Sequence, residues 1–221
     1  MARTSWKETA RAWLHPVVRA FDRLGFSPLA VTLTGLGISL LGAWLVAGGR
    51  LLWGTAVFLA GSGFDMFDGG LARWQGTASR RGAFLDSVFD RFGEAVYLTG
   101  LAVWFMSEQP ANWRPAVVLV LVTMFGSLAT SYVRARAEGV GETCQVGVLQ
   151  RTERVLLLGL GGLLGGGVLV VVLAILAVLT LLTTLQRIVH VAAKLPGPDP
   201  AARRAHAAAR GGGGLEPKER P

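Results

Sequence analysis

Four aspartates in the first half of the chain are spaced in a way that suits metal chemistry. Asp65 and Asp68 lie three residues apart, and a second pair, Asp86 and Asp90, lies four apart. At these spacings both members of a pair project from one face of a helix. Clustered carboxylates need neutralising, and oxygen ligands without histidine or cysteine favour Mg²⁺, Mn²⁺ or Ca²⁺ over zinc. The pattern predicts a divalent-metal site; a salt-bridged helix pair is the alternative, and a costly one.

The aspartates lie in a chain that has the composition of a membrane protein. Of its 221 residues, 52% are hydrophobic and 16% are charged, whereas soluble domains carry about 25% charged residues. The apolar residues fall in blocks of roughly 17 to 25, the length that crosses a hydrocarbon core about 30 Å thick. Basic residues lie just outside these blocks, so the net charge of +8 favours anionic lipid over nucleic acid as a partner. Ionisable residues inside such blocks are functional candidates.

These blocks predict an all-α integral membrane fold with six transmembrane helices. The last apolar run is too long for one crossing, and its glycines at 165–167 are expected to form a dividing turn. The connection between the second and third spans is short, which makes these helices antiparallel neighbours and lets the four aspartates converge. The predicted spans are Leu29–Ala47, Leu51–Arg73, Gly82–Met106, Pro115–Glu138, Glu153–Gly167 and Val168–Lys194.

The basic residues also predict an orientation in the cell membrane. With six spans and a cytoplasmic N-terminus, only Arg50 and Arg114 among the 22 lysines and arginines lie outside. Both termini and the aspartate site then face the cytoplasm. Residues 1–25 are expected to form an interfacial amphipathic helix and residues 26–194 the six-helix membrane domain. Residues 195–221, rich in proline, glycine and alanine, are expected to form a mobile basic cytoplasmic tail.

The segment around the aspartates carries a specific signature. It reads Asp65-Met-Phe-Asp68-Gly69-Gly-Leu-Ala72-Arg73, then eight residues, Gly82, three residues, Asp86, three residues and Asp90. Eight fixed residues at fixed spacing resemble the CDP-alcohol phosphatidyltransferase signature at every defined position. The resemblance covers about residues 16–190. It implies six transmembrane helices, a polar cavity that faces the cytoplasm, and usually a homodimer.

The resemblance also implies a role for each signature residue. Two ions, Mg²⁺ or Mn²⁺, are expected to be bound by the carboxylates of Asp65, Asp68, Asp86 and Asp90. Asp90 is also the expected general base, and Arg73 is expected to contact the nucleotide phosphates. Gly69 and Gly82 would leave room for the cytidine, although glycine in membrane helices also serves close packing. The implied reaction moves a substituted phosphoryl group from a CDP-alcohol to a hydroxyl acceptor and releases CMP, as in phospholipid biosynthesis.

Three arginines in the second half of the chain bear on the acceptor. The stretches Ser131–Glu138 and Gln150–Arg154, together with the isolated Arg187, look like those of phosphatidylinositol phosphate synthases of actinobacteria and their archaeal ether-lipid counterparts. By that resemblance Arg134, Arg154 and Arg187 bind the acceptor's phosphate, with Arg134 in place of a lysine, and arginine suits phosphate. We therefore expect inositol phosphate as acceptor and CDP-diacylglycerol or an ether-linked analogue as donor.

Other functions account for parts of this pattern. A phosphatidylglycerophosphate synthase acting on glycerol 3-phosphate would also use the three arginines, although Phe84–Arg91 departs from the FLDPLADK pattern typical of those enzymes. A non-catalytic cation-binding protein would use the aspartates as an ion pathway, but they cluster toward one side of the membrane. The glycines of the fifth span would suit a structural subunit, and equally suit packing within the chain. Positive-inside topology explains Arg136 and Arg151 as well as acceptor binding does.

Overall fold

The computed structural model describes residues 15–108 and 113–195, and within these ranges helices account for the fold. Residues 15–23 form α1. The bounds of the later helices lie within a few residues of the six predicted spans, so the helix assignments are confirmed. These helices are α2 (Pro28–Ala47), α3 (Leu51–Trp74), α4 (Arg80–Glu108), α5 (Trp113–Gly139), α6 (Arg151–Leu164) and α7 (Gly166–Lys194).

Local sequence explains where these helices begin and where they break. α2 begins after Ser27, whose hydroxyl accepts the Ala30 N–H at 3.2 Å. α6 begins with a capping box, in which the Glu153 carboxylate accepts the Gln150 N–H at 2.8 Å. α6 ends at Gly165, whose φ of 102° favours glycine. The predicted glycine turn is therefore a break at a single residue.

Three of the described helices are long and apolar enough to cross a membrane: Pro28–Ala47, Arg114–Gly139 and Gly166–Lys194. α6 has 14 residues and spans only about 21 Å at 1.5 Å per residue, which is less than a hydrocarbon core of about 30 Å. Large apolar side chains cover the outer faces of the helices; Trp44 and Trp53 are 69% and 68% exposed. Apolar surface of this extent is typical of contact with lipid or with another protein.

Glycines let the backbones of α2, α3 and α4 touch. A Cβ at Gly42 of α2 would lie 2.6 Å from the Phe58 nitrogen and 2.7 Å from the Gly54 oxygen, both on α3. A Cβ at Gly100 of α4 would lie 2.6 Å from the Ala43 oxygen of α2. Real Cβ atoms do not approach other atoms this closely, so these helices pack backbone to backbone. α3 and α4, which carry the aspartates, are thereby fixed against α2.

The glycines of α6 also serve packing inside the chain. A Cβ at Gly159 would lie 2.4 Å from a Leu59 methyl carbon, and one at Gly162 would lie 2.5 Å from the Thr55 hydroxyl oxygen. Both neighbours belong to α3, and α6 packs on α7 as well. Since these glycines are used within the chain, they give no reason to propose a structural subunit.

α1 is anchored to the end of α3. Asp22 accepts hydrogen bonds from the side chains of Trp74 at 3.2 Å and Gln75 at 2.9 Å. Residues 1–14 of the predicted interfacial helix and residues 196–221 of the predicted tail lie outside the described residues. The described part of α1 thus holds the helix that carries the first aspartate pair.

Gly42→Ala should lower the free energy of unfolding by about 1–3 kcal/mol, because the added methyl group overpacks the contact between α2 and α3. The loss should outweigh the gain of about 1 kcal/mol in helix propensity. Thermal unfolding in detergent checks it, with Gly37→Ala on the same helix as control, since nothing lies within 4 Å of a Cβ there. Equal unfolding temperatures for the two variants would contradict this packing.

Candidate active site

A cavity of about 470 Å³ lies where α2, α3 and α4 meet. Small-molecule sites typically enclose about 300–1,000 Å³. The structure brings six residues of the signature, Ala72 among them, to this cavity. We call it the aspartate cavity, and its lining includes Thr32, Asp68, Gly69, Arg73, Gly82 and Asp86.

Asp68 is held in place by its neighbours. It is buried, and its Oδ2 accepts a hydrogen bond from the Thr32 hydroxyl at 2.6 Å. The Gly69 N–H donates to the other carboxylate oxygen. Thr32 belongs to α2, so the close packing of α2 on α3 also fixes the orientation of this carboxylate.

Gly69 and Gly82 do not serve helix packing. The nearest atoms to a Cβ at these positions are the Arg73 guanidinium and the Ser79 hydroxyl, each at 3.4 Å. These are ordinary contacts with side-chain ends, unlike the backbone contacts at Gly42. Close packing is thus excluded as the reason for glycine at these two positions, and a side chain there would project into the aspartate cavity.

Asp90 lies in a narrow cleft beside the aspartate cavity. Its carboxylate forms an ion pair with Arg151 at 2.7 Å, and its side chain is 12% exposed. The cleft, which we call the Asp90 cleft, is also lined by Thr32, Ser39 and Arg151. Because Thr32 lines both spaces, the Asp90 cleft adjoins the aspartate cavity.

The carboxylates fit a hard divalent cation by their chemistry, since each offers oxygen ligands and no histidine or cysteine lines the aspartate cavity. Among the described side chains, no three histidines, cysteines, aspartates or glutamates lie close enough to hold one metal ion. Asp68 and Asp86 share the aspartate cavity, whereas Asp90 lies in the adjoining cleft. The side chain of Asp65, one turn before Asp68, lies outside the described residues. The predicted four-aspartate cluster is therefore described only in part.

A second cavity, of about 280 Å³, is lined mainly by polar groups. The three arginines expected to bind acceptor phosphate all line it, together with two further arginines. Hydroxyl and amide side chains complete the wall. We call it the arginine cavity, and its lining includes Arg91, Arg134, Arg151, Arg154, Arg187, Ser131, Gln145, Gln150 and Thr152.

The predicted arginines are fixed in different ways. Arg134 pairs with Glu138 of the same helix at 3.0 Å, and both side chains are about half exposed. Arg154 is buried and forms an ion pair with Glu94 at 3.0 Å. Arg187 is also buried; its Nε donates to the Val146 oxygen and its Nη1 donates to the Thr130 oxygen, both at 2.8 Å. The planar guanidinium of arginine, with its fork of N–H donors, suits phosphate. Because arginines outnumber acidic residues in its lining, the arginine cavity is suitable for an anion.

The first turn of α6 strengthens this preference. Gln150, Arg151 and Thr152 line the arginine cavity and form the N-terminal end of the helix. The helix dipole makes such an end favourable for negative charge. The capping box of Gln150 and Glu153 holds this turn in shape.

Sequence reasoning missed several residues of the site. Arg91 directly follows Asp90, but its place in the arginine cavity depends on how α4 turns against α5 and α6. Thr32 lies in an apolar helix and shows no local signal. Arg151 was equally well explained by topology; it lines the arginine cavity, whereas Arg136 is exposed near the end of α5.

Apolar helices that hold a carboxylate-lined cavity next to an arginine-lined one have the parts of a membrane enzyme that acts on phosphate groups. The chain belongs to the CDP-alcohol phosphatidyltransferase family, because residues 26–195 match the profile of that family. It is thus a transferase of a membrane-enzyme family, as the signature predicted.

Known proteins are similar to this chain in sequence or in structure. A phosphatidylinositol phosphate synthase of Mycobacteroides abscessus is 35% identical over 164 residues, 73% of each chain. An archaetidylinositol phosphate synthase of Methanothermobacter thermautotrophicus is 35% identical over 156 residues, 68% of this chain and 75% of that protein. The phosphatidylinositol phosphate synthase of Mycobacterium tuberculosis with CDP-DAG bound gives a TM-score of 0.75 at 32% identity, covering 80% of this chain and 92% of that one. Its complex with manganese and citrate gives 0.76, covering 83% and 90%.

Glu153→Ala should lower the free energy of unfolding by about 1 kcal/mol, because the Gln150 N–H loses its capping partner. Glu153→Gln is the matched control, since glutamine at this position keeps an acceptor oxygen and should stay close to the parent protein. Thermal unfolding in detergent distinguishes the two. A loss of equal size in both variants would point to the charge of Glu153 rather than to the cap.

Proposed function

We propose that this protein transfers a phosphatidyl-type group from a CDP-alcohol, either CDP-diacylglycerol or an ether-linked analogue, to inositol phosphate and releases CMP. The observation that carries the proposal is the position of Asp90. Its cleft shares Thr32 with the aspartate cavity and Arg151 with the arginine cavity. The predicted general base therefore lies between a cavity suited to a nucleotide diphosphate and a cavity suited to a phosphorylated acceptor.

The donor is proposed to bind in the aspartate cavity. Arg73 lies beside Gly69 and offers a guanidinium to the phosphates, and the open sides of Gly69 and Gly82 admit the cytidine. Asp65, Asp68, Asp86 and Asp90 would hold two divalent ions, Mg²⁺ or Mn²⁺. Such ions neutralise the diphosphate and stabilise the leaving CMP when bound. Support comes from the oxygen-only donor set and from the relative that binds manganese.

The acceptor is proposed to bind in the arginine cavity. Arg134, Arg154 and Arg187 take its phosphate. The remaining lining offers the hydroxyl and amide groups of Ser131, Gln145 and other polar residues to the ring hydroxyls. An inositol ring has more hydroxyls than glycerol and can therefore pair with more of these polar groups. This favours inositol phosphate, because each unpaired polar group in a closed site costs free energy. The names of both curated relatives described above also specify inositol phosphate synthesis.

The chemical step follows from this arrangement. Asp90 accepts the proton of the acceptor hydroxyl while the oxygen attacks the phosphorus that carries the lipid alcohol. The bond from that phosphorus to the bridging oxygen breaks, and CMP leaves. A carboxylate is a weak base, so positioning supplies most of the acceleration. Arg151 contributes by holding the carboxylate at 2.7 Å.

The proposal includes a topology for the membrane domain. Residues 26–194 would cross the membrane six times, with both termini and both cavities on the cytoplasmic side. The six helix bounds and the basic residues near the cavities support this arrangement. Residues 1–25 would lie on the bilayer surface, where Val17 and Leu24 keep exposed apolar side chains. Residues 195–221 would form a basic tail, and a homodimer follows from the family resemblance alone.

CMP release by purified protein with CDP-diacylglycerol and Mg²⁺ or Mn²⁺ tests the proposal. Inositol phosphate should support release, whereas free inositol and glycerol 3-phosphate should not. Asp90→Asn should lower the rate by at least about 10²-fold, because the acceptor proton loses its base. Release with glycerol 3-phosphate alone would keep the reaction and replace the acceptor. Metal uptake into vesicles without CMP release would instead favour a cation-binding protein.

Gly82→Ala should not lower the unfolding temperature, but it should raise the KM for the CDP donor by about tenfold, because the methyl group occupies the nucleotide's space. The KM for inositol phosphate should not change. Gly37→Ala, at a position that lines neither cavity, should alter neither constant. A fall in the unfolding temperature of Gly82→Ala would instead assign this glycine to packing.

A further inference from the structure

Two ion pairs join α4 to α6 and lead from the Asp90 cleft into the interior. Asp90 pairs with Arg151 at 2.7 Å; one turn later along α4, Glu94 pairs with Arg154 at 3.0 Å. The first pair is partly open, whereas the Glu94 and Arg154 side chains are only 4% and 3% exposed. Ser127 of α5 adds a hydrogen bond to Glu94 Oε1 at 2.8 Å. Glu94 thus connects three helices, and the reaction as derived above gives it no role.

The geometry of the inner pair fixes the Arg154 guanidinium. Its Nε and Nη2 donate to the two carboxylate oxygens of Glu94, each at 3.0 Å. This bidentate contact sets both the position and the plane of the guanidinium. Nη1 takes no part in the pair, and Arg154 lines the arginine cavity. The pair therefore leaves one nitrogen of Arg154, with two N–H groups, for a ligand.

Stability alone does not account for this pair. Replacing a buried ion pair by apolar residues of similar volume is often neutral or stabilising, because both charges lose their hydration. Removing only one member of such a pair destabilises the fold far more, since the remaining charge is left buried without a partner. A buried carboxylate that holds a cavity-lining arginine in a fixed plane is better explained by what the arginine does.

We propose that Glu94 is a positioning residue for acceptor binding: it holds Arg154 so that Nη1 faces the acceptor's phosphate. This inference rests on the proposed function in that the arginine cavity takes a phosphorylated acceptor. Glu94 itself touches neither substrate. Without its charge, Arg154 would no longer be held in this plane, and the phosphate would lose a directed contact.

A double-mutant cycle on phosphate affinity tests this inference. The dissociation constant of inorganic phosphate is measured by calorimetry on Glu94→Gln, on Arg154→Ala and on the double variant, in detergent and without donor. Glu94→Gln should weaken phosphate binding about tenfold, and it should have no further effect once Arg154 is alanine. In turnover it should raise the KM for inositol phosphate and leave the KM for the CDP donor unchanged.

Two further variants guard against a loss of folding. Ser127→Ala removes one hydrogen bond from Glu94 but keeps the ion pair; it should weaken phosphate binding by a smaller factor, again only when Arg154 is present. Thr123→Ala removes a buried hydroxyl elsewhere on α5, where it bonds to the Leu173 oxygen at 3.2 Å, and it should leave phosphate affinity unchanged. If Glu94→Gln does not fold, the cycle of Ser127→Ala with Arg154→Ala decides the question.

Several results would overturn the inference. Effects of Glu94 and Arg154 that multiply independently would show that Glu94 does not act through Arg154. Tighter phosphate binding by Glu94→Gln would show that Glu94 only competes for the arginine. If phosphate affinity depends on Glu94 as expected but inositol phosphate releases no CMP from the parent protein, the acceptor is wrong and the inference stands. If the parent uses inositol phosphate and neither phosphate affinity nor acceptor KM responds to Glu94, the inference fails and the function stands.

Discussion

Charge buried among apolar helices is the constraint on which this structure depends. Each ionisable group within a membrane-type domain must find a partner or lose its hydration without compensation. In this chain, side chains from neighbouring helices supply these partners. α2 supplies the Thr32 hydroxyl to Asp68, and α6 supplies Arg151 to Asp90 and Arg154 to Glu94. The contacts that orient the functional groups are thus the same contacts that make their burial tolerable.

Glycine has two separate uses in this molecule, and both bear on the site. At Gly42 and Gly100 the missing side chain lets backbones touch, which draws α2, α3 and α4 together beneath the aspartate cavity. At Gly69 and Gly82 a side chain would meet only the ends of Arg73 and Ser79, which line the aspartate cavity. The first use fixes the helices that carry the carboxylates, and the second keeps the cavity between them accessible. Only the surroundings of each glycine distinguish the two.

Much of the fold was predictable because the length of an apolar run in the sequence matches the length of the helix that it forms. The helix ends, including the break at Gly165, followed from block lengths and from glycine. The number of membrane crossings was less accessible, since α6 is short and α3 and α4 carry the charges of the site. For the site itself, the resemblance to the family signature predicted that Asp68, Gly69 and Arg73 belong to one site, and all three line the aspartate cavity. The sequence did not assign specific roles to Thr32 and Glu94, because their partners lie on other helices. The spacing of residues along one helix does not indicate how that helix is rotated against its neighbours.

The two cavities draw on different parts of the chain. Residues 27–86 line the aspartate cavity, whereas the arginine cavity is built from residues 130–187 with Arg91 as its contribution from α4. Only the Asp90 cleft, through Thr32 and Arg151, belongs to both sides. The two cavities are therefore formed by successive parts of the sequence. Substitutions after α4 can therefore alter the arginine cavity while the residues that line the aspartate cavity stay the same.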